Sequence, residues 1–293
     1  MFMSDFGQNV NRAMSKLAAA RSLLFTPGND EYKLAKALAA GADVVVADLE
    51  DAVPAAEKAS ARTTVARLLT ETAPDSLVAV RLNGAETPYW QDDLDAVTSL
   101  EVDAIVIPKA TPEAVVALGP EGAPVLALVE TAHGLRRAYE TASSPRVAAL
   151  VLGAVDLGLE LRLEQRPDGQ ELLLARSQLV LDSAAARIRA PFDAVHVDTR
   201  DSSGLEEECR LARTLGFRGK ACFHPAQVEI VNRVFSPSKE ELRRARRVVA
   251  AYEHGAREGK GAVALDGELV DLPVAERARQ VLADAERSAS DGN

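Results

Sequence analysis

The sequence predicts an α/β fold, a (β/α)8 TIM barrel carrying a C-terminal helix–hairpin–helix arm. Three observations carry this. Eight short apolar runs are mostly continuous rather than alternating, as in strands covered on both faces of a parallel sheet. Segments rich in Ala, Leu, Glu and Arg separate them, which is the alternation of βαβ units. No run is followed by a GxGxxG turn, which argues against an open dinucleotide-binding sheet.

In chain order, residues 1–20 read as an N-terminal tail with a frayed helix over Ala13–Ala20. The barrel is expected over 21–235. Its strands are Ser22–Thr26, Val44–Leu49, Leu77–Arg81, Ala104–Ile107, Val125–Val129, Ala148–Leu152, Ala194–Val197 and Lys220–Phe223. The helical segments between them include Glu31–Ala40, Ala55–Leu69, Trp90–Ser99, Gly134–Thr141, Glu171–Ala190 and Gly204–Leu215. Residues 236–293 break the pattern and read as an arm or lid. Pro237 precedes a charged helix over Lys239–Arg257. Asp266-Gly267 sits at the centre of Ala262–Val270, a strong two-residue hairpin signal. Pro273 and a helix over Ala275–Arg287 follow. A hairpin after the eighth strand has no place in the barrel.

Bulk properties narrow the function. The chain has 293 residues, and a barrel needs about 250. Hydrophobic residues make up 47%, too many for a disordered chain. The net charge of 34 − 44 = −10 argues against partnership with nucleic acid or an anionic membrane. An anionic ligand must therefore meet a local cluster of Arg and Lys. Cys209 and Cys222 form no disulfide framework, which suits a reducing compartment. No apolar run approaches the roughly 18–20 residues of a membrane span. Met1–Asn11 is too polar for a signal peptide, so the cytoplasm is expected.

Active sites of such barrels lie at the C-terminal ends of the strands. Those ends read Thr26-Pro27-Gly28, Asp48-Leu49-Glu50-Asp51, Arg81-Leu82-Asn83, Pro108-Lys109, Glu130, Gly153 with Asp156, Asp198, and His224-Pro225. The opposite ends are mostly turn residues, such as Pro74-Asp75, Pro124 and Pro145-Arg146. The asymmetry marks the functional face. Glu130 and Asp156 stand on neighbouring strands, about 4.8 Å apart. Two such carboxylates need a cation or a shared proton, and two hard oxygens completed by water and substrate are the usual way Mg2+ is held. Helix capping or a salt bridge is the plainer use of either acid. Arg81 suits a substrate carboxylate, or pairs with Asp48 or Glu50 across the mouth. Lys109 reads as a structural ion pair or as a Schiff-base lysine. His224 reads as a general base, a metal ligand or a loop-shaping residue.

Longer motifs add a resemblance. They are Arg21-Ser-Leu-Leu-Phe-Thr-Pro-Gly28, Asp48-Leu-Glu-Asp-Ala-Val53 with Lys58 and Arg62, Val80-Arg-Leu-Asn83, Pro108-Lys109 and Val129-Glu-Thr-Ala-His-Gly134. To these add Gly153-Ala-Val-Asp156, Gly216-Phe-Arg-Gly-Lys-Ala-Cys-Phe-His-Pro-Ala-Gln227 and Asp266-Gly-Glu-Leu-Val-Asp-Leu-Pro273. From Arg21 almost to the C-terminus the chain resembles the citrate lyase beta-subunit-like CoA-ester lyases of the HpcH/HpaI aldolase superfamily.

The resemblance implies Mg2+ held by Glu130 and Asp156, with Glu50 organising metal waters. It implies that Arg81 grips the carboxylate of a keto or hydroxy acid. It implies a homotrimer in which the exchanged C-terminal arm brings Asp271 to the reacting carbon in a neighbouring subunit. The implied reaction cleaves a 3-hydroxyacyl-CoA, such as malyl-, citramalyl- or citryl-CoA, into acetyl-CoA (or propionyl-CoA) and a 2-oxo acid. Arg21, Lys58, Arg62 and Lys220 are then expected to form a basic rim for the CoA phosphates. A malyl-CoA-type thioesterase and a non-catalytic barrel subunit are the competing readings. The charged segment Leu163–Gly169 departs from the family pattern, and such loops set the acyl group accepted.

Overall fold

Runs of Val, Leu and Ala, residues that fit a sheet buried on both faces, become seven parallel strands. They are β1 (Ser22–Pro27), β2 (Val44–Asp48), β3 (Leu77–Arg81), β4 (Ala104–Ile107), β5 (Val125–Val129), β6 (Val147–Leu152) and β7 (Lys220–Cys222). Their order is β6-β5-β4-β3-β2-β1-β7, so each strand from β1 to β6 lies beside its sequence neighbour, as in a TIM barrel. The computed structural model describes residues 2–72, 74–166 and 168–290.

The seventh of the eight expected strands, Ala194–Val197, does not form. Two residues upstream of it close the cylinder. Phe192 bridges to Val151 of β6, and Asp193 bridges to Lys220 of β7. The Phe192 amide donates to the Leu150 carbonyl, and the Asp193 amide donates to the Gly219 carbonyl. Beyond Asp193 no ladder partner remains. β6 has ended, because Gly153 already donates to the Val129 carbonyl. On the other side, the amides of Phe223 and His224 donate to the Gln227 side chain, which in turn donates to the His196 carbonyl at 2.8 Å. An apolar run without free strand edges stays irregular.

Alternation sorts the strand residues. Leu23, Val44, Val46, Ala79, Val106, Leu126, Leu128 and Val151 fill the barrel interior. Val45, Ala47, Val80, Ile105, Ile107, Ala127 and Val129 pack outward against the helical layer. The N-terminal segment is more ordered than a tail with a frayed end. Residues Phe2–Ala19 form a helix. Its Leu17, with Ala20 just after it, joins the interior cluster beside the first residues of β2 and β3 and stops the N-terminal end of the barrel.

The wall at the closing seam contains buried charge. Asp193 accepts from Arg176 Nε at 2.9 Å and from Lys220 Nζ at 2.8 Å. Lys220 Nζ also lies 3.0 Å from Glu208. Burial alone would raise the Asp193 carboxyl, but Lys220 and Arg176 override it and hold it below the usual carboxylate range. Removing one member of such a cluster strands the others in a dry interior.

The chain divides into two compact units between Phe235 and Ser236. In the second, Ser238 and Glu241 form a reciprocal capping box on helix Lys239–Arg257. Strands β8 (Val263–Leu265) and β9 (Glu268–Val270) pair antiparallel. Between them Asp266 and Gly267 take φ of 53° and 84°, the left-handed pair that a tight hairpin turn requires. Helix Leu272–Ser290 follows. Ala245, Val248, Val270 and Ala278 form this unit's own small core. Among the described residues, no helix is long and apolar enough to cross a membrane.

Candidate active site

The parallel register brings Asp48, the last residue of β2, directly beside Arg81, the last residue of β3. Asp48 grips Arg81 with both oxygens, at 2.6 Å to Nε and 2.6 Å to Nη2. The same carboxylate accepts from the amides of Glu50 and Ala52, so it also shapes the loop after β2. Arg81 Nη1 lies 3.0 Å from Glu50 Oε2 and 3.6 Å from Asp51, and its guanidinium stacks over Phe25. The Glu50 contact is ionic only. Its geometry misses the line of an N–H, and Glu50 Oε2 stays buried without a hydrogen bond. Both sequence readings of Arg81 as a partner of Asp48 and of Glu50 therefore describe real contacts.

Glu130 follows β5 and is buried. Its Oε1 accepts from the Lys109 backbone amide at 2.8 Å. Gly153 presses against it from the next strand. A Cβ at residue 153 would lie 2.3 Å from Glu130 Cβ and 2.8 Å from Oε2. Asp156 sits in the first turn of helix Ala154–Leu161, half-buried. Its charge is felt at Glu130, and among the described residues it has no ion pair of its own. Lys109 adopts φ 46°, a left-handed conformation that turns its amide onto Glu130.

The site crowds carboxyls together away from water. Burial pushes the Glu130 carboxyl up to about 8, and Glu50 and Asp156 add to this against the Lys109 amide and Arg81. Burial likewise pushes Glu50 up to about 7, against the attraction of Arg81 and Lys109. Two oxygen-bearing groups short of positive partners suit a hard divalent cation that keeps waters and substrate as its other ligands. Among the described residues no cluster of three or more His, Cys, Asp or Glu forms a closed metal cage. Buried Glu130 and half-buried Asp156, whose charge acts on it, offer hard carboxylate oxygens of the kind an open Mg2+ site uses.

The expected basic rim fares differently. Lys58 is buried, and its ammonium donates at 2.7 Å to the carbonyls of both Leu49 and Glu50. It holds the loop that carries Glu50. Arg62 pairs with Asp92 and Asp93. Arg21 precedes β1, at the opposite end of the barrel, where Asp43 receives its backbone and side-chain N–H groups. Lys220 is fully buried in the seam cluster. Neither Arg21 nor Lys220 reaches a ligand at the mouth, which corrects the expectation of a four-residue phosphate rim. His224 accepts from the Ala226 amide through Nδ1 and shapes the turn into helix Pro225–Phe235. Asp271 lies in the second unit and caps helix Leu272–Ser290 through the Val274 amide. The contribution of Gly153 had no signal in the sequence, because only the folded neighbour reveals why that position has no side chain.

Known proteins share this arrangement of elements. Residues 21–225 match the family described as HpcH/HpaI aldolase/citrate lyase. Residues 176–281 match a family described as a C-C bond lyase of the TIM-barrel fold. A (3S)-malyl-CoA thioesterase of Cereibacter sphaeroides (strain KD131 / KCTC 12085) is 42% identical, covering 92% of this chain and 96% of that protein. The citrate lyase subunit beta of Leuconostoc mesenteroides subsp. cremoris is 37% identical over 89% of this chain and 92% of its own. Among solved structures, the CitE protein of Mycobacterium tuberculosis in complex with magnesium, acetoacetate and coenzyme A superposes with a TM-score of 0.80. It is 36% identical and covers 92% of this chain and 99% of that one.

Proposed function

The chain belongs to the HpcH/HpaI aldolase/citrate lyase family, and we propose that it is a Mg2+-dependent carbon–carbon lyase acting on a 3-hydroxyacyl-CoA. The observation that carries this is the buried Glu130, which feels both the Asp156 carboxylate and the Arg81 guanidinium that Asp48 holds as a fork. Malyl-, citramalyl- and citryl-CoA are the candidate substrates. For malyl-CoA the balanced reaction is cleavage to acetyl-CoA and glyoxylate. Relatives solved with magnesium, with coenzyme A and with small oxo acids support the choice of ligands.

Glu130 and Asp156 would hold the metal, which when bound lends Lewis acidity to the oxygen that becomes the carbonyl. Asp48 fixes the Arg81 fork before substrate arrives, so no reorganisation is needed when charge develops. Arg81 faces the substrate carboxylate. Lys58 and Asn83 pin the Leu49–Glu50 backbone and keep the Glu50 carboxyl turned to the mouth, where it orders water. Cleavage breaks the carbon–carbon bond as the hydroxyl gives up its proton to become the carbonyl, and the acetyl-CoA enolate takes up one proton at its methyl carbon, so in net the proton passes from oxygen to carbon. We assign the protonation at carbon to Asp271 of a neighbouring copy in a homotrimer.

A second reading has its own support. The Cereibacter relative is a (3S)-malyl-CoA thioesterase. Hydrolysis of malyl-CoA would consume water and release malate and CoA, with the carbon–carbon bond intact. One assay separates the two. The protein is incubated with acyl-CoA esters and Mg2+, and release of 2-oxo acid and of free CoA is followed separately. The lyase reading expects 2-oxo acid without free CoA, and loss of the signal with EDTA. Free CoA without 2-oxo acid selects the thioesterase, and neither product selects a non-catalytic barrel. Mixing Asp271→Ala with Arg81→Ala protein tests the exchanged arm. Mixed oligomers that regain no activity would refute it.

A further inference from the structure

Lys109 is a cation near Glu50 and Glu130 that the assigned roles leave unused. Arg81 has an acid near every nitrogen: Asp48 accepts from Nε and Nη2 at 2.6 Å, and Nη1 lies 3.0 Å from Glu50 and 3.6 Å from Asp51 with no hydrogen bond to Glu50. Three carboxylates around one guanidinium offset much of its charge, so a second cation would strengthen its hold on an anionic group. Lys58 is buried against two carbonyls, and Arg62 is paired with two aspartates. Lys109 differs. It is the exposed residue between buried Pro108 and Ala110, with its side chain 45% accessible. Its ammonium lies 3.6 Å from Glu50 Oε1, an ion pair too long for a hydrogen bond. Among the described residues it makes no closer polar contact, so three N–H donors stay open.

The backbone adds an independent observation. At φ 46° Lys109 occupies a conformation where Gly, Asn or Asp would sit more easily. A lysine held there against its backbone preference points to a use for the side chain. The turn sets its amide 2.8 Å from Glu130 Oε1 while its ammonium faces Glu50. One residue therefore meets Glu130 through its backbone and Glu50 through its side chain.

We infer that the Lys109 ammonium is a substrate-binding group, which donates to the free carboxylate of the acyl portion and completes the grip that Arg81 begins. The inference rests on the lyase reading of this site and names a residue which that reading leaves unassigned. It requires an ionic contact, not a Schiff base, so no bond is made or broken at Nζ.

The test uses pyruvate as the probe, titrated calorimetrically into the full-length protein at saturating MgCl2, with Mg2+ titrated separately. Lys109→Met keeps the stem and removes the charge. Lys109→Arg restores the charge. Lys109→Gly relieves the backbone and keeps the amide on Glu130. Met and Gly are expected to weaken pyruvate by about tenfold or more, as for loss of a hydrogen bond to a charged group. Arg is expected to recover most of that loss, and all three should leave Mg2+ affinity within about twofold, well under one such hydrogen bond. In cleavage assays KM should rise more than kcat falls. If wild type binds pyruvate and Lys109→Met binds it equally well, Lys109 is not a substrate contact. If Mg2+ affinity falls as far as pyruvate affinity, the residue acts only through Glu130, and the inference is likewise wrong. If wild type takes up neither probe, the lyase reading itself fails and carries this inference with it.

Discussion

Gly153→Ala is the sharpest structural test of the proposed metal site. The new methyl would stand 2.3 Å from Glu130 Cβ and 2.8 Å from its Oε2. Non-bonded carbons settle at about 3.5–4.0 Å, so one partner must retreat by roughly 1.5 Å. Gly153 is pinned by its amide on the Val129 carbonyl and by the start of helix Ala154–Leu161, which leaves Glu130 to move. Displacing a ligand by about 1 Å can cost on the order of a hundredfold in function. Overpacking itself destabilises by about 1–3 kcal/mol. The expected outcome is a folded protein whose Mg2+ affinity drops by about tenfold to a hundredfold. Gly158→Ala is the control, since a Cβ there meets nothing within 4 Å on the same helix. It should be neutral or slightly stabilising, as for a glycine in a helix interior. Calorimetric Mg2+ titration and thermal melts with and without Mg2+ read both variants. A Gly153→Ala protein that binds Mg2+ like wild type would remove Glu130 from the metal site, and the reasoning with it.

Other outcomes follow from the same contacts. Asp193→Asn should cost about 3–5 kcal/mol in urea unfolding, because Lys220 and Arg176 lose the acid between them. Glu208→Gln should cost clearly less, since its carboxylate is 35% exposed, and equal losses would refute the buried-cluster account. Cys209 and Cys222 are buried, with thiols pushed up to about 12 by burial, so a disulfide reagent at pH 8 should label neither until urea is added. Prompt labelling of the native protein would contradict that. Glu130 rises from 4.5 unfolded to about 8 folded. The native state then holds the proton longer, so in EDTA this group makes stability fall as pH climbs between those values. Mg2+ displaces that proton, so the melting shift it produces should grow from pH 6 to pH 9, and a flat or shrinking shift would sink the assignment.

Much of the scaffold was legible because strand and helix periods differ and because parallel strands lie in chain order. That order alone sets Arg81 beside Asp48 and puts Glu130 and the Gly153–Asp156 segment after neighbouring strands. Ala194–Val197 misled because an apolar β-branched run is a strand only where neighbours offer free edges, and β6 and β7 have already turned away. The helix Phe2–Ala19 was understated because, among the residues whose burial is described, Ala13 and Leu17 alone are buried within a polar segment. Arg21 and Lys220 looked like a phosphate rim because a positive charge beside a strand reads the same at either end of a barrel. Their partners Asp43, Asp193 and Glu208 come from distant stretches, and no local pattern announces them. The tilt of Lys109 into a left-handed turn was invisible for a similar reason. Ion pairing is a property of the side chain, whereas that turn is imposed by the amide it must deliver.

The seam between β6 and β7 makes this barrel a ribbon joined by a clasp. A full strand spreads closure over many peptide groups, whereas here Phe192, Asp193 and a few buried ions do the joining. The penalty for keeping ions out of water shrinks on warming, so the clasp weakens less with heat than an ordinary polar contact would. It is nevertheless the narrowest join in the ring, and the amides of Phe192 and Asp193 are where solvent would first exchange through local parting, ahead of the β2–β3 wall.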